Sequence, residues 1–374
     1  MKRSATKLLN KNTLRMVEVI MIFLISLPVF SSKPQCGYDA NNLLLRLQSY
    51  LDNDQTLIGQ YDTYFCGHNW QIDVGDMMFV KSDMYDVCGD YPAVFGFDMN
   101  GIMQTSNKAA AIAHYKRGGI ITISNHMNNI ETGKNAWDKS SKSVVFKILH
   151  EKKYKEAFCK KLDSYASFFL SLNDKNGEMI PVLFRPWHES TSNYYWWGTD
   201  CCSDKEFKRL WRFTYDYLVR KKNVTNLVWV YSLDNFVTED VFNSRYPGDK
   251  YVDIIGYEKY HWWTEKETEE ECLSRFKKEF RAGLTLLNLI CDKHHKVPAV
   301  SEIGFAGGVP KNFWTNCVYD IVKDFKSAYI LIWSNIYDNV DRIYGPYPGS
   351  PDSADFVEFS KMKGVVFLNA LNEY

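Results

Sequence analysis

Short runs of apolar, β-branched and aromatic residues recur along this chain, separated by longer amphipathic stretches. The runs lie at 56–61, 93–98, 120–124, 181–184, 227–231, 252–257, 299–302 and 329–333. They are continuous rather than alternating, the pattern of strands buried on both faces. Between them, 143–169, 204–221, 269–294 and 313–326 carry helix-like spacing, and the charged run from Glu265 to Glu271 reads as an exposed helix start. Eight strands with interposed helices predict a (β/α)8 TIM barrel, with residues 33–374 as a single domain. The rival, a doubly wound open sheet, needs a glycine-rich turn at its switch point. No Gly-x-Gly-x-x-Gly occurs, and no linker, repeat or low-complexity tract divides the chain.

Nearly every predicted strand ends in residues able to do chemistry: Gln60-Tyr61, Asp98, Ser124-Asn-His126, Arg185 to Glu189, Tyr257-Glu-Lys-Tyr260-His261, Glu302 and Trp333-Ser-Asn335. A common barrel mouth produces polar endings on one edge. Two of these endings are unusual. Ile180-Pro-Val-Leu-Phe-Arg-Pro-Trp-His-Glu189 and Val297-Pro-Ala-Val-Ser-Glu302 are buried strands that finish in an acid, and ionised carboxylates are costly to bury without partners. On the fourth and seventh strands of one barrel, Glu189 and Glu302 would face each other across the mouth. Glycosidic bonds are broken by such a pair, one carboxyl protonating the leaving oxygen while the other attacks or activates water.

The first 32 residues differ from the rest. Lys2, Arg3, Lys7, Lys11 and Arg15 precede an apolar stretch from Val19 to Phe30. That stretch fits a signal-peptide core and is shorter than the ~20 residues a membrane-crossing helix needs. Cleavage near Ser32 is expected, giving a secreted, extracellular protein with no membrane attachment afterwards. Residues 33–374 carry 40 basic and 44 acidic residues, with the Lys and Arg scattered among acids rather than clustered. This excludes a polybasic phosphate-binding face, so no nucleic-acid partner is expected. The aromatic content of 16% favours a neutral polymer whose rings dock on flat aromatic faces, although a large core accounts for much of it. All nine cysteines follow residue 32, which in an exported chain predicts several disulfides with at least one thiol left over. The single sequon, Asn223-Val-Thr225, is a candidate glycan acceptor. No Cys-x-x-Cys pair occurs, and His188-Glu189 lacks the second histidine of a His-Glu-x-x-His zinc helix, since Ser192 stands at that place. Neither a metal nor an organic cofactor is expected.

The segment Arg185-Pro-Trp-His-Glu189-Ser-Thr-Ser-Asn-Tyr-Tyr-Trp-Trp-Gly198 resembles, without a gap, the acid/base segment of glycoside hydrolase family 26, the β-mannanase family. Five further stretches resemble the same family in order: Tyr91 to Asp98, Gly118 to His126, Asn226 to Tyr231, Tyr246 to Gly256, and Ser301-Glu302-Ile-Gly304. The resemblance implies an endo-acting, retaining enzyme that cleaves β-1,4-mannosidic linkages in mannan, glucomannan or galactomannan, functioning as a monomer. It implies Glu189 as general acid/base and Glu302 as nucleophile. It further implies Tyr260 as a hydrogen-bond donor to the nucleophile, His126 and His188 lining the cleavage subsite, and Trp333 as the floor on which the sugar stacks. Arg185 is a candidate donor to Glu302, and Arg185, Tyr194, Trp197 and Asp98 are candidate substrate contacts.

The chain departs from the family pattern at Thr191-Ser192, where Asn-Gly is usual, and at Tyr194, where tryptophan is usual. Glu258 stands in place of an aspartate, and Ser334 follows the subsite tryptophan where arginine is common. These differences leave the sugar preference open, with mixed-linkage β-glucan and β-1,3-xylan as alternatives. An inactive carbohydrate-binding barrel is a second alternative, against which the retention of both glutamates argues.

Overall fold

The computed structural model describes residues 38–73, 78–100, 105–234 and 238–373. The expected signal segment, 1–32, lies outside them. All eight expected strands form, and each pairs in parallel with the next in sequence. They are β1 (Thr56–Tyr61), β2 (Val94–Asp98), β3 (Ile120–Ser124), β4 (Val182–Arg185), β5 (Leu227–Leu233), β6 (Ile254–Trp262), β7 (Val297–Ala306) and β8 (Tyr329–Ile332). β8 returns to β1 in the register Leu57↔Tyr329 to Gln60↔Ile332, which closes the sheet into a (β/α)8 barrel. A short ninth segment, Val365–Val366, adds to the start of β1.

The strands are mainly apolar over their barrel-forming stretches because both faces are covered. Leu183, Val228, Val230, Ile254, Ala299 and Leu331 fill the barrel interior together with Leu43, Leu47 and Tyr50 of the helix Tyr38–Asp52. Outward-facing Phe184, Trp229, Tyr257 and Phe305 pack instead into the layer beneath the outer helices.

Two expected helices begin where capping chemistry dictates. Ser203 and Glu206 form a capping box for Asp204–Tyr215, and Thr268 and Glu271 do the same for Glu269–His294. The stretch 143–169 is two helices rather than one. Glu151 takes an extended conformation (φ −109°, ψ 122°), ending Val144–His150 and starting Lys152–Ser171.

Two strands depart from their expected ends, and the difference shapes the site. β6 and β7 run on past the barrel rim as a two-stranded extension, pairing Tyr260 with Gly304 and Trp262 with Ala306. Glu302 therefore lies within β7, not at its end. Between Tyr257↔Val300 and Glu258↔Glu302 the register slips by one residue on β7. This bulge sets the two glutamates side by side, a common use of bulges at barrel rims.

The expected disulfides are absent among the described residues: eight of the nine cysteines are free thiols, and Cys36 lies outside the described segments. Cys202, Cys272, Cys291 and Cys317 sit in the apolar layer as small hydrophobes. Cys202 also points its thiol at the Trp197 carbonyl, 3.3 Å away. A barrel of this size has core enough to hold without cross-links. The denatured, unreduced chain should accordingly titrate at least eight thiols, and its unfolding midpoint should be the same with and without reductant. A midpoint that falls on reduction contradicts the free-thiol assignment.

Candidate active site

The end of β4, the turn after it and the middles of β6 and β7 deliver four charged groups to one buried point. Arg185, fully buried at the end of β4, places Nη1 2.6 Å from Glu258 Oε1 and Nη2 2.6 Å from Glu302 Oε1. The second oxygen of Glu302 accepts from the Tyr260 hydroxyl at 2.6 Å. Glu189 completes the group: one carboxylate oxygen from each of Glu189, Glu258 and Glu302 lies within 4.8 Å of the other two. One guanidinium thus serves three carboxylates. It already engages two of them, which leaves the trio poorly suited to a metal cation.

The charge imbalance shows in the titration behaviour. Glu189 is pushed well above the ordinary carboxyl range, first by burial and then by the charges of Glu258, Asp234 and Glu302, with a Tyr195 hydrogen bond opposing. Burial and the neighbouring Glu302 push Glu258 up to about 8 against the pull of Arg185. Glu302 is ion-paired to Arg185 through one oxygen and accepts from Tyr260 through the other.

Glu189 sits at φ +49°, a left-handed conformation that a non-glycine residue adopts only where its surroundings impose it. Buried Arg245 supplies part of that constraint, donating to the Ser190 carbonyl at 3.0 Å and the Trp197 carbonyl at 2.9 Å. The Thr191 hydroxyl donates to Asp234 at 3.1 Å, and Ser192 does so as well. The residues that depart from the family pattern therefore anchor the loop behind the acid.

The remaining expected residues divide into those that face the mouth and those that support it. Half-buried Trp333 stacks on Tyr61 with centroids 4.0 Å apart and meets Tyr260 edge-on. His126 is 3.1 Å from the Tyr195 hydroxyl through Nε2 and stacks on Trp137, which is 54% exposed. Tyr194 is half exposed at the rim.

Three expected contacts are corrected. Trp197 is fully buried, stacked on Tyr195 and donating to the His188 carbonyl, so it backs the wall and has no face for substrate. Arg185 is sealed beneath the glutamates. Asp98 accepts from His126 Nδ1 at 2.6 Å, from the His126 backbone N–H at 2.9 Å and from Ser124, so it orients the imidazole. His188 is also almost wholly buried, 3.2 Å from His126 through Nε2, and its desolvation keeps it neutral.

Several residues were missed from the sequence. Tyr195 bridges His126 and Glu189. Tyr344 lies over Gly304, where an added Cβ would come within 2.5 Å of its ring, and close enough to feel both Glu302 and Glu189. Tyr195 stood in the aromatic cluster beside Tyr194 and could have been singled out. Tyr344 sits far along a loop with no local signal.

The glycosyl hydrolase family 26 model matches residues 32–289, and the chain belongs to that family. Among solved structures, a family 26 β-mannanase from Bacteroides ovatus superposes with a TM-score of 0.80 at 33% identity, covering 88% of this chain and 95% of that one. The catalytic domain of a Bacillus sp. JAMB-750 endo-β-1,4-mannanase gives 0.80 at 27% identity, covering 92% and 96%. A mannan endo-1,4-β-mannosidase of Bifidobacterium adolescentis is 28% identical over 310 residues, which are 75% of this chain and 30% of that longer protein.

Proposed function

We propose that this chain is an endo-acting β-1,4-mannanase that works by retaining double displacement and is exported from the cell. The observation that carries the reading is the carboxyl pair. Glu189 is held protonated by burial and neighbouring anions, and Glu302 lies beside it, ion-paired to Arg185 through one oxygen and accepting from Tyr260 through the other. Separations of about 5–5.5 Å characterise retaining pairs, whereas inverting pairs leave room for a water between them.

In the first step Glu302 attacks the anomeric carbon while Glu189 gives its proton to the departing oxygen. The resulting ester removes one of the anions that had raised Glu189. Glu189 is then an acceptable base, and it takes a proton from the water that releases the sugar. Tyr260 and Arg185 hold Glu302 in line, and Trp333 presents a stacking face beside it. Trp137 and Tyr194, exposed around an open mouth, suit a chain that passes through rather than one that ends inside. The names of the relatives support mannan as the polymer, and the basic-then-apolar start of the chain supports export.

Incubation with galactomannan, glucomannan, barley β-glucan and β-1,3-xylan tests the substrate class. Viscosity of the mannans should fall faster than reducing ends accumulate. Preferential cutting of either other polymer would reassign the substrate, and no depolymerisation of any of the four contradicts the enzyme reading. Protein recovered from the medium should begin near residue 33; full-length protein retained in cells contradicts export.

A further inference from the structure

The β6–β7 extension carries an aromatic residue that the chemistry above leaves unused. Side chains alternate along a strand, so Gly256, Glu258, Tyr260 and Trp262 share the inward face of β6. Their surroundings agree: Gly256 meets Ser301 and Ser232 inside the barrel, Glu258 meets Arg185, and Tyr260 meets Glu302. The intervening residues face the helices, where Tyr257 packs against Gly283 and His261 bonds the Cys272 carbonyl. Successive inward positions are about 7 Å apart, so Trp262 stands roughly 13 Å from Glu258 along the strand, beyond the reacting carboxyls and on the same side of the chain.

Trp262 is 53% exposed. Its indole N–H has no protein partner among the described residues, and its only ring neighbour there is His261, tilted at 6.4 Å. Its backbone is nonetheless fixed from behind, since the carbonyl accepts from Arg275 at 3.2 Å and pairing with β7 runs through Ala306. Trp263 behaves differently: its ring packs on Phe305 and its indole donates to the Gly308 carbonyl. One tryptophan therefore braces the extension while the other offers a bare face and a free donor.

We infer that Trp262 is a stacking platform for a sugar ring of the same β-linked chain, at least one residue removed from the bond being cut. The inference rests on the proposed function for the identity of that chain. A flat apolar face with a polar edge suits a pyranose ring, whose CH groups stack while its hydroxyls seek donors and acceptors. Continuity of Trp262 with Tyr260 along one strand face selects this occupant over a protein partner.

The test compares wild type, Trp262→Ala and Trp262→Phe on β-1,4-mannooligosaccharides of increasing length. Trp262→Ala should match wild type on the shortest substrate cleaved and lose about tenfold in kcat/KM on longer ones, the scale of one lost aromatic contact. Trp262→Phe should recover much of the difference. A loss equal at every length, or none at any, overturns the platform. Affinity electrophoresis in gels containing each of the four polysaccharides, with the Glu189→Gln protein carrying or lacking Trp262→Ala, gives a reading independent of turnover. Weaker retardation by the double variant supports the platform, and identical mobility overturns it, even if wild type proves to cleave no mannan. Self-association lost in Trp262→Ala assigns the face to a second copy of the chain and also overturns it.

Discussion

On the proposed double-displacement mechanism, Glu302→Ala should lower kcat on mannan by at least about 10⁴-fold, because the step that forms the covalent intermediate loses its nucleophile. Glu258 stands closest as a substitute, but burial and its neighbours favour its neutral form, and Arg185 already engages it. Glu189→Ala should differ in kind. Its loss should be about 10²- to 10⁴-fold on polysaccharide, the usual worth of a general acid. It should largely vanish for the first step on an aryl glycoside whose leaving group needs no proton. The pH dependence follows from the same residue. Glu189 donates only while protonated, so activity should fall as pH rises through its raised value, and that alkaline limb should disappear in Glu189→Ala acting on the aryl substrate. Near-normal turnover of mannan by either variant contradicts the assigned roles.

Arg185→Met should destabilise the fold by about 3–5 kcal/mol at neutral pH, the cost of stripping the partner from buried charges. Glu258 and Glu302 would be left side by side with almost no solvent, and at least one must hold a proton. The sign of the pH dependence is fixed by that proton. A carboxyl whose value is higher in the folded than in the unfolded state contributes stability at low pH and loses it as pH rises, because unfolding then releases the proton. Already at about 8 with the guanidinium present, Glu258 would move further up without it. Below about pH 8 Glu258 is neutral in both folded proteins, so denaturant titrations should show a steady deficit up to there and a widening one above it. A deficit independent of pH would mean that Arg185 acts by packing alone.

The barrel was legible because a strand covered on both faces leaves an uninterrupted apolar run. All eight runs became strands within a few residues of their expected limits. The acid pair was legible for the related reason that an acid ending such a run needs an explanation. What escaped was set by pairing rather than by composition. The bulge opposite Glu258 is a property of two strands together, and without it Glu302 reads as a strand end. The extension to Trp262 escaped because Lys259 and His261 break the apolar run while continuing the hydrogen-bond ladder. Trp197 was misplaced because an aromatic cluster does not say which ring faces outward. Tyr195 faces His126 and Glu189, whereas Trp197 lies behind it. The cysteines misled because their expected pairing rested on compartment, and burial among apolar side chains gives Cys202, Cys272, Cys291 and Cys317 a place without a bridge.

The identity of the attacking carboxylate is tested most directly by trapping it. Incubation with a 2-deoxy-2-fluoro-β-mannosyl substrate bearing an activated leaving group should glycosylate the nucleophile, with the leaving group departing, and slow the hydrolysis that follows, so that the glycosyl-enzyme persists for peptide mass spectrometry. The account predicts one glycosyl unit per chain, carried on Glu302. A label on Glu258 or Glu189, or turnover with inverted configuration and no label at all, contradicts it.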